Sequence, residues 1–141
     1  QAIDADGPDV AALGTLAAEL ACTIITGAIV REGATLHCAA LHIAPDGRLA
    51  GLRRKLMPTA AERLVWGQGS AQDVVSFESP LGRIAAPICW ENYMPLLRAA
   101  FYQQGVTIWA ASTVDERPQW EISMRHIALE SRCFLVSACQ W

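Results

Sequence analysis

The chain has 141 residues, 52% hydrophobic and 18% charged, with a formal net charge of −3. That length suits a single domain able to bury about two thirds of its unfolded surface. No apolar run approaches the roughly 18 residues that a membrane span needs, and acidic residues and arginines are interspersed with no basic stripe to track a phosphate backbone. Neither a membrane nor a nucleic acid is expected as a partner.

Gln1 to Asp6 offers no basic or apolar segment of a secretory signal. Asp6-Gly7-Pro8-Asp9 then starts a helix, with Val10, Leu13, Leu16, Ala17 and Leu20 on one face, over about Asp9 to Ala21. Thr23 to Val30 is rich in β-branched residues and reads as a strand. Leu36 to Ile43 and Leu49 to Leu52 read as a hairpin closed by Ala44-Pro45-Asp46-Gly47-Arg48. Arg53 to Gly69 has no periodicity, and long irregular segments in compact domains are disproportionately functional.

Asp73 to Phe77 and Arg83 to Ile88 are strand-like around the turn Ser79-Pro80-Leu81-Gly82, and Cys89 ends the second of them. Pro87 cannot donate to a central ladder, so irregular backbone is expected there. Pro95 to Gln103 is helical, with Gly105 as its stop. Val106 to Ala111 reads as a buried strand, Pro118 to Arg132 as a helix with Trp120, Met124, Ile127 and Ala128 on one stripe, and Phe134 to Ala138 as a last strand. The alternation is that of an α/β layer architecture.

The five cysteines form an odd set with no Cys-x-x-Cys pair, which predicts reduced thiols in a cytoplasmic protein. Cys133, Cys139 and His126 lack a common zinc spacing, and no metal or other cofactor is expected. Cys22, Cys38, Cys133 and Cys139 lie inside apolar segments and read as small core hydrophobes. Cys89 differs, because a strand end feeding a helix start places backbone N–H groups near the sulfur, favouring thiolate and offering an oxyanion site. Both readings, core thiol and nucleophile, are open for it.

A nucleophile needs a proton acceptor, and His37, His42 and His126 all fall within predicted elements rather than loops. Lys55 is the one lysine against ten arginines, set in the irregular segment. A compact ammonium can approach a developing oxyanion as a guanidinium cannot; the alternative is an accident of an arginine-biased composition. Glu62 could orient that lysine or move a proton, or form a surface ion pair with its neighbour Arg63.

Arg54-Lys55-Leu56-Met57-Pro58-Thr59, Glu62 to Gly69, Ile88-Cys89-Trp90-Glu91-Asn92-Tyr93-Met94-Pro95 and Met124 to Glu130 resemble the nitrilase family, in that order and at compatible spacing, over about Gly7 to Gln140. Cys-Trp-Glu-Asn is similar to the nitrilase branch of the carbon-nitrogen hydrolase superfamily. The resemblance implies a single, incomplete domain over residues 1–141 with a partial α-β-β-α sandwich fold. It implies Cys89 as the nucleophile toward a small-molecule nitrile, giving a thioimidate, then a thioester, then a carboxylic acid and ammonia. It also implies Lys55 and the Trp90 backbone N–H as stabilisers of the tetrahedral intermediates, and Glu62 as a supporting carboxylate.

Arg53 stands where the family commonly has a histidine, and Ser131 where it has a glycine. No position matches the family's base glutamate, so the chain is expected to be an internal fragment with little activity of its own and a homo-oligomer in its full-length form. Trp66, Tyr93 and Trp109 are candidates for a substrate pocket, with core packing as the alternative. A cyanide-degrading enzyme or an amidase of the same superfamily, and a non-catalytic interaction module, are the competing functions.

Overall fold

The computed structural model describes residues 2–140, which divide into two compact units at Asp73 and Val74. The first unit opens with helix α1 (Pro8–Glu19), followed by strands β1 (Ile24–Glu32), β2 (Thr35–Ile43) and β3 (Leu49–Arg54) in one antiparallel sheet of order β1-β2-β3. The helix begins at a proline, whose missing N–H costs nothing in a first turn. It ends two residues earlier than expected, and Ala21 just beyond it takes a φ of 49°. Val10 and Ala17 enter the core with Val30, Ala39, Leu41 and Ile43, while Leu16 and Leu20 are exposed. Gly14 replaces them on the buried face.

That glycine has a steric reason. A Cβ on Gly14 would lie 2.4 Å from the Gly47 carbonyl oxygen, so the helix backbone rests directly on the β2–β3 turn. Glycine costs about 1 kcal/mol against alanine within a helix, and the close approach explains its presence. The turn itself is the expected one, with Gly47 at a φ of 84° and the Ala44 N–H bonded to the Arg48 carbonyl at 2.9 Å. The β1–β2 hairpin was not expected from the sequence. It turns on Gly33 at a φ of 59°, between paired Glu32 and Thr35.

The second unit contains β4 (Phe77–Ser79), β5 (Gly82–Ala85), α2 (Pro95–Gln103), β6 (Ile108–Thr113), α3 (Pro118–Ser131) and β7 (Phe134–Cys139). Its sheet has the order β4-β5-β6-β7, antiparallel between β4 and β5 and parallel thereafter, with α2 and α3 as the crossovers. Phe101 and Trp109 form its centre, both fully buried and edge-to-face at 5.7 Å. Trp120, Met124 and Ile127 bury the expected stripe of α3.

The strand expected over Asp73 to Phe77 does not form: Asp73 closes a 3-10 turn (Ala71–Asp73), and only Phe77–Ser79 is extended. The Asp73 side chain is the reason. It accepts the Arg54 backbone N–H at 2.9 Å, Arg54 Nε at 3.1 Å and the Ser70 N–H at 2.7 Å, and these bonds curl the chain. The strand expected to reach Ile88 stops at Ala85, as Pro87 requires, with one isolated bridge pairing Ile88 to Ser112. Cys89 therefore does not end a strand; it begins a 3-10 turn (Cys89–Tyr93).

Burial alone would raise the Asp73 carboxyl, but the bonds from Arg54 and Ser70 outweigh it and hold the group at about 2, below its ordinary 3.8. A depressed carboxyl stabilises the fold above its unfolded value and loses that contribution as pH falls through the folded one. The stability advantage of the wild-type chain over Asp73→Asn should thus be full at neutral pH and shrink between pH 3.8 and about 2, measured by denaturant titration followed by circular dichroism.

Candidate active site

Lys55 follows β3 directly, its N–H bonded to the Cys38 carbonyl at 2.7 Å. Its side chain is 1% exposed, and Nζ donates to Glu62 Oε2 at 2.6 Å and to Thr59 Oγ1 at 3.2 Å. The same Glu62 oxygen accepts the Thr59 backbone N–H at 2.6 Å, capping the 3-10 turn Ala60–Leu64. Glu62 is thus fixed by its own turn before it meets the ammonium. It does not pair with Arg63, whose Nε donates to the Pro58 carbonyl at 2.9 Å. A buried ammonium is tolerated only when paired and hydrogen-bonded, and the irregular segment supplies both conditions.

In the second unit Cys89 has a φ of 50°, the left-handed region that non-glycine residues rarely occupy. Such strain persists where surrounding contacts over-determine it, and they do here. The Ile88 N–H donates to Glu91 Oε2 at 2.7 Å, and Asn92 Nδ2 donates to the Cys89 carbonyl at 2.9 Å and to the Pro87 carbonyl at 3.3 Å. Glu91 and Asn92 are fully buried. Trp109 Nε1 then donates to Asn92 Oδ1 at 2.8 Å, and Arg98 donates to the Asn92 carbonyl at 3.0 Å, so core and helix α2 both hold the turn.

The Cys89 side chain is partly exposed and accepts a hydrogen bond from Thr113 Oγ1, 3.4 Å from its sulfur. Beyond it, Asp115 accepts from Arg117 at 2.8 and 2.7 Å and from the Tyr93 hydroxyl at 3.4 Å. The Arg117 guanidinium overrides partial burial and holds the Asp115 carboxyl at about 2. Burial, then the Asp115 charge, pushes the Tyr93 phenol up. Trp90 is 48% exposed and stacks edge-on against Tyr93 at 4.9 Å, which meets Trp120 at 5.8 Å.

Of the three aromatics expected near substrate, Tyr93 belongs to this cluster, Trp109 lies wholly in the core, and Trp66 is in the first unit, bridged to Leu36. The other cysteines are not core residues: Cys22, Cys38 and Cys133 are partly exposed, and Cys139 on edge strand β7 is exposed. Thr113 and Asp115 were not singled out by the sequence reading. Their signal was there in the alternation of β6, which buries Trp109, Ala111 and finally a polar Thr113 at the strand end. Among the described residues, no group of three or more His, Cys, Asp or Glu side chains could hold a metal ion, and no helix is long and apolar enough to cross a membrane.

The carbon-nitrogen hydrolase family model matches residues 1–141. The chain belongs to the carbon-nitrogen hydrolase family. Within it, the chain is 50% identical over 140 residues to a bifunctional nitrilase/nitrile hydratase of Lupinus angustifolius, covering 99% of this chain and 40% of that protein. It is 49% identical to an aliphatic nitrilase of Sinorhizobium fredii, covering 99% of this chain and 45% of that one. The chain thus spans less than half the length of these relatives. A solved carbon-nitrogen hydrolase superfamily protein of Xanthomonas campestris matches with a TM-score of 0.83 at 22% identity, over 96% of this chain and 54% of that one. A Saccharomyces cerevisiae member of branch 10 of the nitrilase superfamily gives 0.82 at 14% identity, over 94% of this chain and 51% of that one. The fold is the one that the motifs implied.

Trp109→Phe keeps the ring packing but leaves the buried Asn92 Oδ1 without its indole donor. The expected cost is about 1–3 kcal/mol of stability, measured by chemical denaturation.

Proposed function

We propose that the protein hydrolyses a small-molecule nitrile to a carboxylic acid and ammonia, with Cys89 as nucleophile. The observation that carries this reading is the Cys89 turn: a partly exposed sulfur on strained backbone, held by buried Glu91 and Asn92, in a chain about half identical to nitrilases. The thiolate adds to the nitrile carbon and the nitrogen takes a proton, giving a thioimidate. Water adds and ammonia leaves, giving a thioester; a second water releases the acid and restores the thiol. Lys55 is assigned to the negative charge of the tetrahedral species, with Glu62 fixing the lysine and the Trp90 N–H as a second donor.

The two compact units are read as parts of one incomplete domain, since the family match runs across both. No residue of the 141 matches the family's base glutamate, so the chain by itself is proposed to turn over little, and the full-length protein to act as a cytoplasmic homo-oligomer. Loss of one member of a catalytic set typically costs on the order of 10⁴ in rate.

The test is ammonia and acid release by the full-length protein from aliphatic nitriles, aromatic nitriles and cyanide. Cys89→Ala should abolish turnover, while Cys133→Ala should leave it largely intact. Release of ammonia from amides but not from nitriles would replace this reading with an amidase, and release from cyanide alone with a cyanide-degrading enzyme. Equal losses from the two cysteine variants would end the Cys89 assignment, and a full-length protein inert toward all these substrates would favour an interaction module.

A further inference from the structure

We propose that Thr113 is a further catalytic residue, whose hydroxyl proton is directed at the Cys89 sulfur and stabilises it as the thiolate. The proposal rests on the reading of Cys89 as the nucleophile. A hydroxyl has one proton and two lone pairs. Thr113 Oγ1 accepts the Asp115 backbone N–H at 2.8 Å, and Cys89 Sγ lies 3.4 Å away on the donating side. The accepted bond polarises the hydroxyl and strengthens the one it gives.

The direction is built into the strand. Thr113 is 6% exposed, the last inward-facing residue of β6, and β-branching restricts its χ1. The Ile88–Ser112 bridge ties the residue before the nucleophile to the residue before Thr113, which fixes the separation of the two side chains. Asp115, whose N–H the hydroxyl accepts, is itself held by Arg117 at 2.7 Å, which fixes the loop after β6. Thr113 therefore offers the sulfur a neutral hydrogen-bond donor, with neither the positive charge nor the proton transfer that a histidine would bring.

The experiment measures alkylation of each cysteine by iodoacetamide at pH 7 in the full-length protein, read peptide by peptide by mass spectrometry. In Thr113→Val the Cys89 rate should fall about threefold, a roughly tenfold loss of thiolate from one weak charge-assisted hydrogen bond offset in part by the greater nucleophilicity of a more basic thiolate, while Cys22, Cys38, Cys133 and Cys139 keep their rates. Thr113→Ser, which retains the hydroxyl, should stay near the wild-type rate. An unchanged Cys89 rate in Thr113→Val, faster alkylation of several cysteines together, or an equal slowing in Thr113→Ser overturns the proposal. Should Thr113→Val lack a folded circular-dichroism spectrum, Thr113→Ala carries the same expectation. Nitrile turnover by Cys89→Ala is a separate outcome: it would end the nucleophile assignment, and with it any catalytic meaning for Thr113, whatever the alkylation rates.

Discussion

Glu91, in the second unit, is a fully buried carboxylate that accepts the Ile88 N–H at 2.7 Å. Burying a carboxylate is expensive unless hydrogen bonds replace its water, so a residue of this kind dictates the backbone around it. The turn from Cys89 to Tyr93 must curl tightly enough to return its third residue to the N–H just before it. The left-handed backbone at Cys89, the contacts of Asn92 and the placement of Trp109 all conform to that geometry. Cys89 itself is partly exposed, while Glu91 and Asn92 just after it are fully buried.

The first unit repeats the device with different chemistry. There Glu62 returns to the Thr59 N–H at 2.6 Å, as Glu91 returns to Ile88, three residues back in each case. Glu62 is partly exposed and shares its capping oxygen with a buried ammonium, whereas Glu91 is wholly buried beside the thiol turn. One local motif thus recurs in two settings: it meets a buried ammonium in one unit and shapes the backbone at a cysteine in the other. In both, a short turn stands where a longer helix would have spread the functional groups over more than one face.

Much of this was legible in the sequence because it is local. Pro95 marked the start of α2 and Gly105 its approximate end, and the stripe of Trp120, Met124 and Ile127 marked α3. Pro87 announced the break before Cys89. What escaped notice depends on partners distant in the chain. Asp73 reads as a strand start until Arg54 is brought against it, Leu16 and Leu20 read as core until the turn at Gly47 claims Gly14 instead, and Thr113 gains its meaning only from the sulfur it touches. Lys55 was found by a different route, as the one lysine in an arginine-rich chain, which pointed to special use without revealing how deeply it is buried.

That burial has a practical side. Lys55 is the one lysine of these 141 residues, with a side chain 1% exposed and Nζ engaged by Glu62 and Thr59. Amine-directed acylating reagents and aldehyde crosslinkers therefore find no accessible ε-amine on the folded chain. Whatever ε-amine labelling does occur on this stretch reports a local opening around Lys55, a built-in probe of local unfolding.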